Sequence, residues 1–154
     1  MRAAFQILAI PYRVADGCPL YCVFHRQDDH QWQFIAGGGE DAETPAEAAR
    51  REVLEEGGVQ SNQWIALESL CYLPVTAISE QQRRHWKKNI YVIPEYAFGF
   101  DCPQEIRLSR EHTQCLWLPY EQARSKLSWD SNRTALFELH CRLGEELWGI
   151  SRGK

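Results

Sequence analysis

The chain has 154 residues, enough for one domain with a sizeable core. Its apolar fraction of 44% and charged fraction of 25% are those of an ordinary globular fold. A formal net charge of −4 argues against a general binder of nucleic-acid polymers, which needs a basic face. No apolar run approaches the roughly 20 residues of a membrane span.

Residues 5–14 are apolar and β-friendly and predict a first strand rather than a signal peptide, since no small-residue cleavage site follows. Ala15-Asp16-Gly17 is a turn signal, and residues 20–25 make a second strand that can close a hairpin. Residues 26–30 are polar and turn-like. Residues 32–36 form a short third strand that delivers the chain to a glycine-rich loop at Gly37. A helix follows. Thr44 is its N-cap, Pro45 fits its first position, Glu47 completes a capping box, and Gly57-Gly58 stop it. Ala46, Ala49 and Val53 give it a small-residue packing face. Residues 64–73 hold a strand, and 76–88 are polar and basic. Residues 90–100 are a strand candidate in which Pro94 implies an edge or a break. Beyond a loop at 101–110 come a strand at 113–118, a short helix at 121–127 and a final helix to about Trp148. That helix carries a stripe of Leu136, Leu139, Leu143 and Leu147. The six scattered cysteines lack Cys-x-x-Cys spacing and read as reduced, mostly buried thiols of a cytoplasmic protein. The expected architecture is α/β, one mixed sheet with helices on its faces, in a single domain over 1–154.

The stretch 37–59, GGGEDAETPAEAARREVLEEGGV, is electrostatically uncomfortable. Glu52, Glu55 and Glu56 share one helix face, and like charges at these spacings cost about 0.2–0.5 kcal/mol per pair. Glu55 and Glu56 also sit in the last turn, where the helix dipole disfavours each by roughly 0.3–1 kcal/mol. A local rule broken without local benefit points to function. A divalent cation with oxygen ligands would relieve the repulsion.

Gly37, Glu43, Arg51, Glu52, Glu55, Glu56 and Gly58, with apolar Val53 and Val59, fill the pattern Gly-x5-Glu-x7-Arg-Glu-U-x-Glu-Glu-x-Gly-U, where U is apolar. The pattern matches by chance in about one window in 10⁸, and it resembles the Nudix box of the Nudix hydrolases. The resemblance implies an α/β/α sandwich with a mixed β-sheet that hydrolyses a nucleoside diphosphate linked to another group. A looser resemblance, to the dihydroneopterin triphosphate and dATP pyrophosphohydrolase branch, rests on Ile7-Leu8, Trp32-Gln33, Glu111-His112, Trp117-Leu118, Trp129 and Ser131-Asn132-Arg133.

The resemblance places Glu52, Glu55 and Glu56 in a Mg²⁺ site, with Mn²⁺ as the alternative ion, and makes Glu111 a further ligand. One glutamate, Glu52 by preference, is available as general base instead. Arg51 pairs with Glu55 at i+4 and holds it, or is a surface ion pair of little worth. Glu43 bonds loop amides around the helix start. Gly37, Gly38 and Gly39 let backbone approach metal or phosphate. His112 and Ser128 are expected to touch substrate. Trp129 suits substrate contact and core packing equally. Arg2 and Arg26 are candidates for phosphate or base contacts. The basic run 83–88 would gather a triphosphate electrostatically or remain a solvated loop.

The expected activity is Mg²⁺-dependent release of pyrophosphate from a nucleoside or pterin triphosphate, by a monomer or homodimer with a small-molecule partner. An ADP-ribose or dinucleoside diphosphate pyrophosphatase is the alternative, with Pro74, 15 residues past Val59, in its favour. A non-catalytic nucleotide-binding module is the third reading, disfavoured by the complete set of glutamates.

Overall fold

The computed structural model describes residues 1–148. Its spine is strand β1 (Arg2–Ala15). On one side β1 pairs antiparallel with two strands in turn, its first part with β4 (Ile35–Glu40) and its last part with β2 (Cys18–Arg26). On its other side it runs parallel to β6 (Val92–Asp101), which pairs with β5 (Trp64–Pro74). Strand β3 (Trp32–Gln33) and strand β7 (His112–Leu118) both join β2, completing a seven-stranded mixed sheet. The β1–β2 hairpin closes through Asp16 (φ 52°) and Gly17 (φ 75°), the two-residue primed turn that matches strand twist.

Strand alternation divides the core. Ile7 and Ala9 face helix α1 (Pro45–Gly57), where Ala48, Ala49 and Val53 pack on Ile35 and Phe98. Leu8, Ile10 and Tyr12 face the opposite layer, built by α3 (Tyr120–Lys126) and α4 (Asp130–Trp148). There Leu136, Leu139 and Leu143 are buried as the stripe predicts, and each such side chain contributes roughly 1.5–3 kcal/mol. The side chain of Leu147 lies outside those described. Gly99 lets α4 settle onto β6, since a Cβ there would come within 2.6 Å of Leu139 Cδ1. These are the α/β/α layers expected, and none of the described helices is long and apolar enough to cross a membrane.

Several local expectations change. The glycine run is not a loop but strand, with Gly37 opposite Ile7 and Gly38 opposite Gln6. The third strand is split in two because the Phe34 N–H leaves the ladder and donates to Asn132 Oδ1 at 2.9 Å. Pro94 lies within the interior strand β6, yet at a point where only β5 accompanies it, because the β1 pairing starts at Glu95. Between Ala66 and Leu70 the β5–β6 register shifts, and Glu138 of α4 accepts the N–H groups of Glu68 and Ser69 at 2.8 Å each. Within the basic segment a 3₁₀ turn (Val75–Ala77) and the four-residue helix α2 (Glu80–Arg83) form. All six cysteines are free. Cys22 and Cys102 are buried, Cys71, Cys115 and Cys141 are half-buried, and Cys18 is exposed.

Candidate active site

Helix α1 is held at both ends as its sequence predicts. Thr44 Oγ1 accepts from Glu47 N–H at 3.2 Å, and Glu47 returns the bond to Thr44 N–H at 2.9 Å. At the C-terminus Gly58 adopts φ 65° and donates to Leu54 O. This fixes which way residues 51–56 point. Glu52 and Glu56 are buried, whereas the Glu55 side chain is 55% exposed, so the three carboxylates share a side but not an environment.

Arg51 organises the cluster through five hydrogen bonds. Two go to Glu43 (2.8 and 3.0 Å), one to Glu52 Oε1 (3.0 Å), one to Glu55 Oε2 (3.2 Å) and one to Gly38 O (2.7 Å). The expected i+4 pair with Glu55 is present, but the fork-to-fork pair with Glu43 is the tighter anchor, since a bidentate geometry suits the guanidinium. Glu43 also accepts from Glu40 N–H at 2.8 Å, as expected of a residue that ties the loop to the helix start.

The glycines bring both faces of the sheet to this point. A Cβ on Gly37 would sit 2.2 Å from Glu52 Cδ. One on Gly38 would strike the Arg2 guanidinium, and one on Gly39 the Phe5 ring. Arg2 therefore lies across the glycine strand from α1. It donates to Phe5 O (2.9 Å) and Gln6 Oε1 (3.2 Å), and its backbone carbonyl is gripped by Trp86 Nε1 (2.7 Å) and His85 Nε2 (2.8 Å). Burial lowers the Arg2 pKa while the charge of Glu52 supports its protonated form.

The Glu52 carboxyl is pushed up to about 7, first by burial and further by Glu55 and Glu56, with Arg51 opposing. Burial also raises Glu56, against a 2.7 Å hydrogen bond from Ser109 Oγ, and Glu111 raises it further. Both ring nitrogens of His112 are buried without a hydrogen-bond partner, and Nδ1 is 3.5 Å from Glu56 Oε2. Burial holds His112 below its ordinary pKa, so the ring is neutral at pH 7. Glu111 is exposed and stands 4.0 Å from Arg26 Nη1; Arg26 also makes a bidentate pair with Asp28 (2.8 and 2.9 Å) and stands 3.9 Å from Asp29.

The donor set fits a hard divalent cation: Glu52, Glu55, Glu56 and Glu111 supply carboxylate oxygens, beside the orphaned nitrogens of His112. Among the described residues, no three of His, Cys, Asp or Glu converge closely enough to hold a metal as they stand. Arg51 takes up Glu52 and Glu55, and Ser109 takes up Glu56.

Beside Arg26 and Gln6 opens a cavity of about 410 Å³, on the α4 side of the sheet. Trp129 forms one wall. It is 45% exposed and not a core residue, and its Nε1 donates to Gln33 Oε1 at 3.3 Å. Ser128 does not line the cavity. Its Oγ accepts from Trp32 N–H at 3.0 Å and its N–H donates to Trp32 O, so it stitches the edge of β3 to the turn before α4. Gln6, Gln33, Glu95 and Ser109 were not among the predicted site residues. For Glu95 a signal existed: it alternates with Ile93 and Ala97 on the inward face of β6, where a carboxylate is out of place.

A model of the NUDIX domain matches residues 13–139. The chain belongs to the Nudix family. The asymmetrical bis(5'-nucleosyl)-tetraphosphatase of Rattus norvegicus is 31% identical over 111 residues, 72% of this chain and 71% of the relative. The same enzyme of Sus scrofa is 30% identical over the same length. Among solved structures, a Nudix hydrolase of Listeria monocytogenes superposes with a TM-score of 0.82 at 39% identity, covering 94% of this chain and 97% of that one. The dihydroneopterin triphosphate pyrophosphohydrolase of E. coli shares the fold, with a TM-score of 0.71 at 24% identity over 90% and 97% of the two chains. This Nudix chain is thus a hydrolase of phosphoric anhydride bonds.

Proposed function

We propose that this Nudix hydrolase is a Mg²⁺-dependent pyrophosphohydrolase that cleaves a nucleoside or pterin triphosphate to the monophosphate and pyrophosphate. One observation carries the reading. A buried carboxylate and a half-buried guanidinium meet across the glycine strand, and a cavity of heterocycle size lies further along the same two strands. Glu52, Glu55, Glu56 and Glu111 would hold the ion. When bound there, Mg²⁺ would offset phosphate charge, polarise phosphorus and supply an activated water. Glu52, with a pKa near neutrality, is suited to accept the proton of the attacking water. Arg51 fixes the Glu52 carboxylate through Oε1, and Arg2 faces the phosphates from the other side of Gly38.

A second reading is cleavage of a dinucleoside polyphosphate. The two tetraphosphatase relatives favour it, and so does an open cleft of about 670 Å³ where Arg84 and His85 flank Arg2, with room for further phosphates.

Product-resolved assays with Mg²⁺ on nucleoside triphosphates, dihydroneopterin triphosphate, diadenosine tetraphosphate and ADP-ribose separate the readings. The first requires pyrophosphate plus monophosphate, and the second requires a nucleoside triphosphate plus a monophosphate from the tetraphosphate. Glu52→Gln should remove most turnover without unfolding the chain. Full activity of that variant on every substrate would overturn the role given to Glu52.

A further inference from the structure

The cavity has a polarity that its lining residues fix. Glu95 is 6% exposed and faces it from β6. Its Oε2 accepts from Gln6 Nε2 at 3.0 Å. The orientation of Gln6 is set by Arg2, which donates to Gln6 Oε1, so the amide nitrogen has to face Glu95. The carboxylate of Glu95 is thus tethered by one oxygen, and the residue lines this cavity with its other oxygen free of donors among the described residues. The other walls carry donors beside a second carboxylate, that of Asp29, which already accepts from Gln31 N–H at 3.1 Å. Gln33 spends its amide oxygen on Trp129 Nε1 and so presents its amide nitrogen, and Arg26, with Nε and Nη2 taken by Asp28, also lines the cavity. Asn132 is used up internally, with its oxygen on Phe34 N–H and its nitrogen on Ser131 Oγ. The indole of Trp129 provides a flat apolar wall against which a ring can stack.

A carboxylate is acceptor-only and matches two adjacent N–H donors. Guanine and pterins carry such an edge, a ring N–H beside a 2-amino group, with a carbonyl oxygen on the neighbouring carbon to take a hydrogen bond from a donor. Adenine has one exocyclic donor flanked by ring acceptors, which a carboxylate repels.

We propose that Glu95 is the base-selecting residue of this Nudix hydrolase, choosing a 2-amino-4-oxopyrimidine ring, that of guanine or a pterin, over adenine. The assignment deepens the triphosphate reading, since it names the ring that the same site takes. It places selection on β6, across β1 from the glycine strand, and makes Gln6 the positioning residue that connects Arg2 to Glu95.

The test uses binding, so that it does not depend on turnover. GMP and AMP are titrated calorimetrically into the full chain, the Glu95→Gln variant and the Trp129→Ala variant. The wild type should favour GMP over AMP by about tenfold or more, the value of a charge-assisted hydrogen-bond pair. Glu95→Gln, nearly isosteric, should weaken GMP by about 10–100-fold and leave AMP unchanged or bind it more tightly, since an amide offers adenine both an acceptor and a donor. Trp129→Ala should weaken both nucleotides alike and leave their ratio unchanged. An unchanged GMP/AMP ratio in Glu95→Gln overturns the proposal, as does wild-type preference for AMP or binding of neither nucleotide. Should Glu95→Gln fail to fold, Gln6→Leu serves: freeing Glu95 from its tether should reduce the ratio, and an unchanged ratio again overturns the proposal. If GMP selection is found but no triphosphate releases pyrophosphate, the triphosphate reading fails while the assignment of Glu95 stands.

Discussion

Replacing Gly37 by alanine tests the site with one carbon atom. The added Cβ would lie 2.2 Å from Glu52 Cδ and 2.4–2.5 Å from both carboxylate oxygens, about an ångström inside ordinary contact at about 3.4 Å. Gly37 lies in strand and outside the left-handed region, so alanine imposes no backbone strain there. The group that has to yield is the end of a flexible side chain. The fold should therefore hold, with a melting temperature within about 4 °C of wild type, equivalent to about 1 kcal/mol in a chain of this size. Activity should not hold. Moving a reacting carboxylate by about 1 Å costs on the order of 10²-fold in rate. Steady-state pyrophosphate release with Mg²⁺, alongside thermal unfolding by circular dichroism, measures both. A kcat within threefold of wild type at an unchanged melting temperature would refute the reasoning, because Glu52 would then not need its place against Gly37.

Burial raises the Glu52 pKa from 4.5 to about 7, so the folded protein binds a proton there that the unfolded chain releases. In the metal-free protein this contribution is fully present below pH 4.5 and is lost as pH rises through 7. It amounts to about 3 kcal/mol. Urea titrations at pH 5 and pH 8 should show that loss in wild type and not in Glu52→Gln. A wild-type slope equal to that of the variant would count against it. Gly99→Ala should cost about 1–3 kcal/mol by pushing Leu139 off the sheet, with kcat preserved, since overpacking is confined to the α4 layer. Asn132→Ala leaves the buried Phe34 N–H without an acceptor and should lower stability by about 1–3 kcal/mol in chemical denaturation. It should also raise KM more than kcat falls, because Asn132 lines the cavity and not the carboxylate cluster.

How much of this was legible depended on how local the cause was. Helix α1 could be read residue by residue, because capping, glycine termination and i,i+4 pairing act within a few positions. The glutamates were legible for the same reason: their repulsion is a property of the helix alone. The glycine run was misread as a loop because intrinsic preference disfavours glycine in strands. The tertiary cause was not visible: three side chains from both faces of the sheet, Glu52, Arg2 and Phe5, fill the space that Cβ atoms would take. Arg51 was matched with its nearest helical neighbour, Glu55, while its tighter anchor, Glu43, lies eight residues back across a loop. Ser128 and Trp129 sit side by side in sequence, yet one is a strand-edge clamp and the other a cavity wall.

Two of the residues that went unseen, Gln6 and Glu95, meet through the β1–β6 pairing, across nearly ninety positions of chain. In the parallel register Gln6 stands opposite Glu95, and in the antiparallel register on its other side it stands opposite Gly38. A single residue of β1 thus faces the glycine strand on one side and the cavity carboxylate on the other. Arg2, one helical-turn length earlier in sequence but about 13 Å away along an extended strand, reaches back to Gln6 by its long side chain. Neither link has a sequence signature, because register is fixed by which faces are buried and not by any local motif. The family box holds the carboxylates proposed for anhydride hydrolysis, and the proposed choice of base rests on a strand pairing that only the folded chain displays.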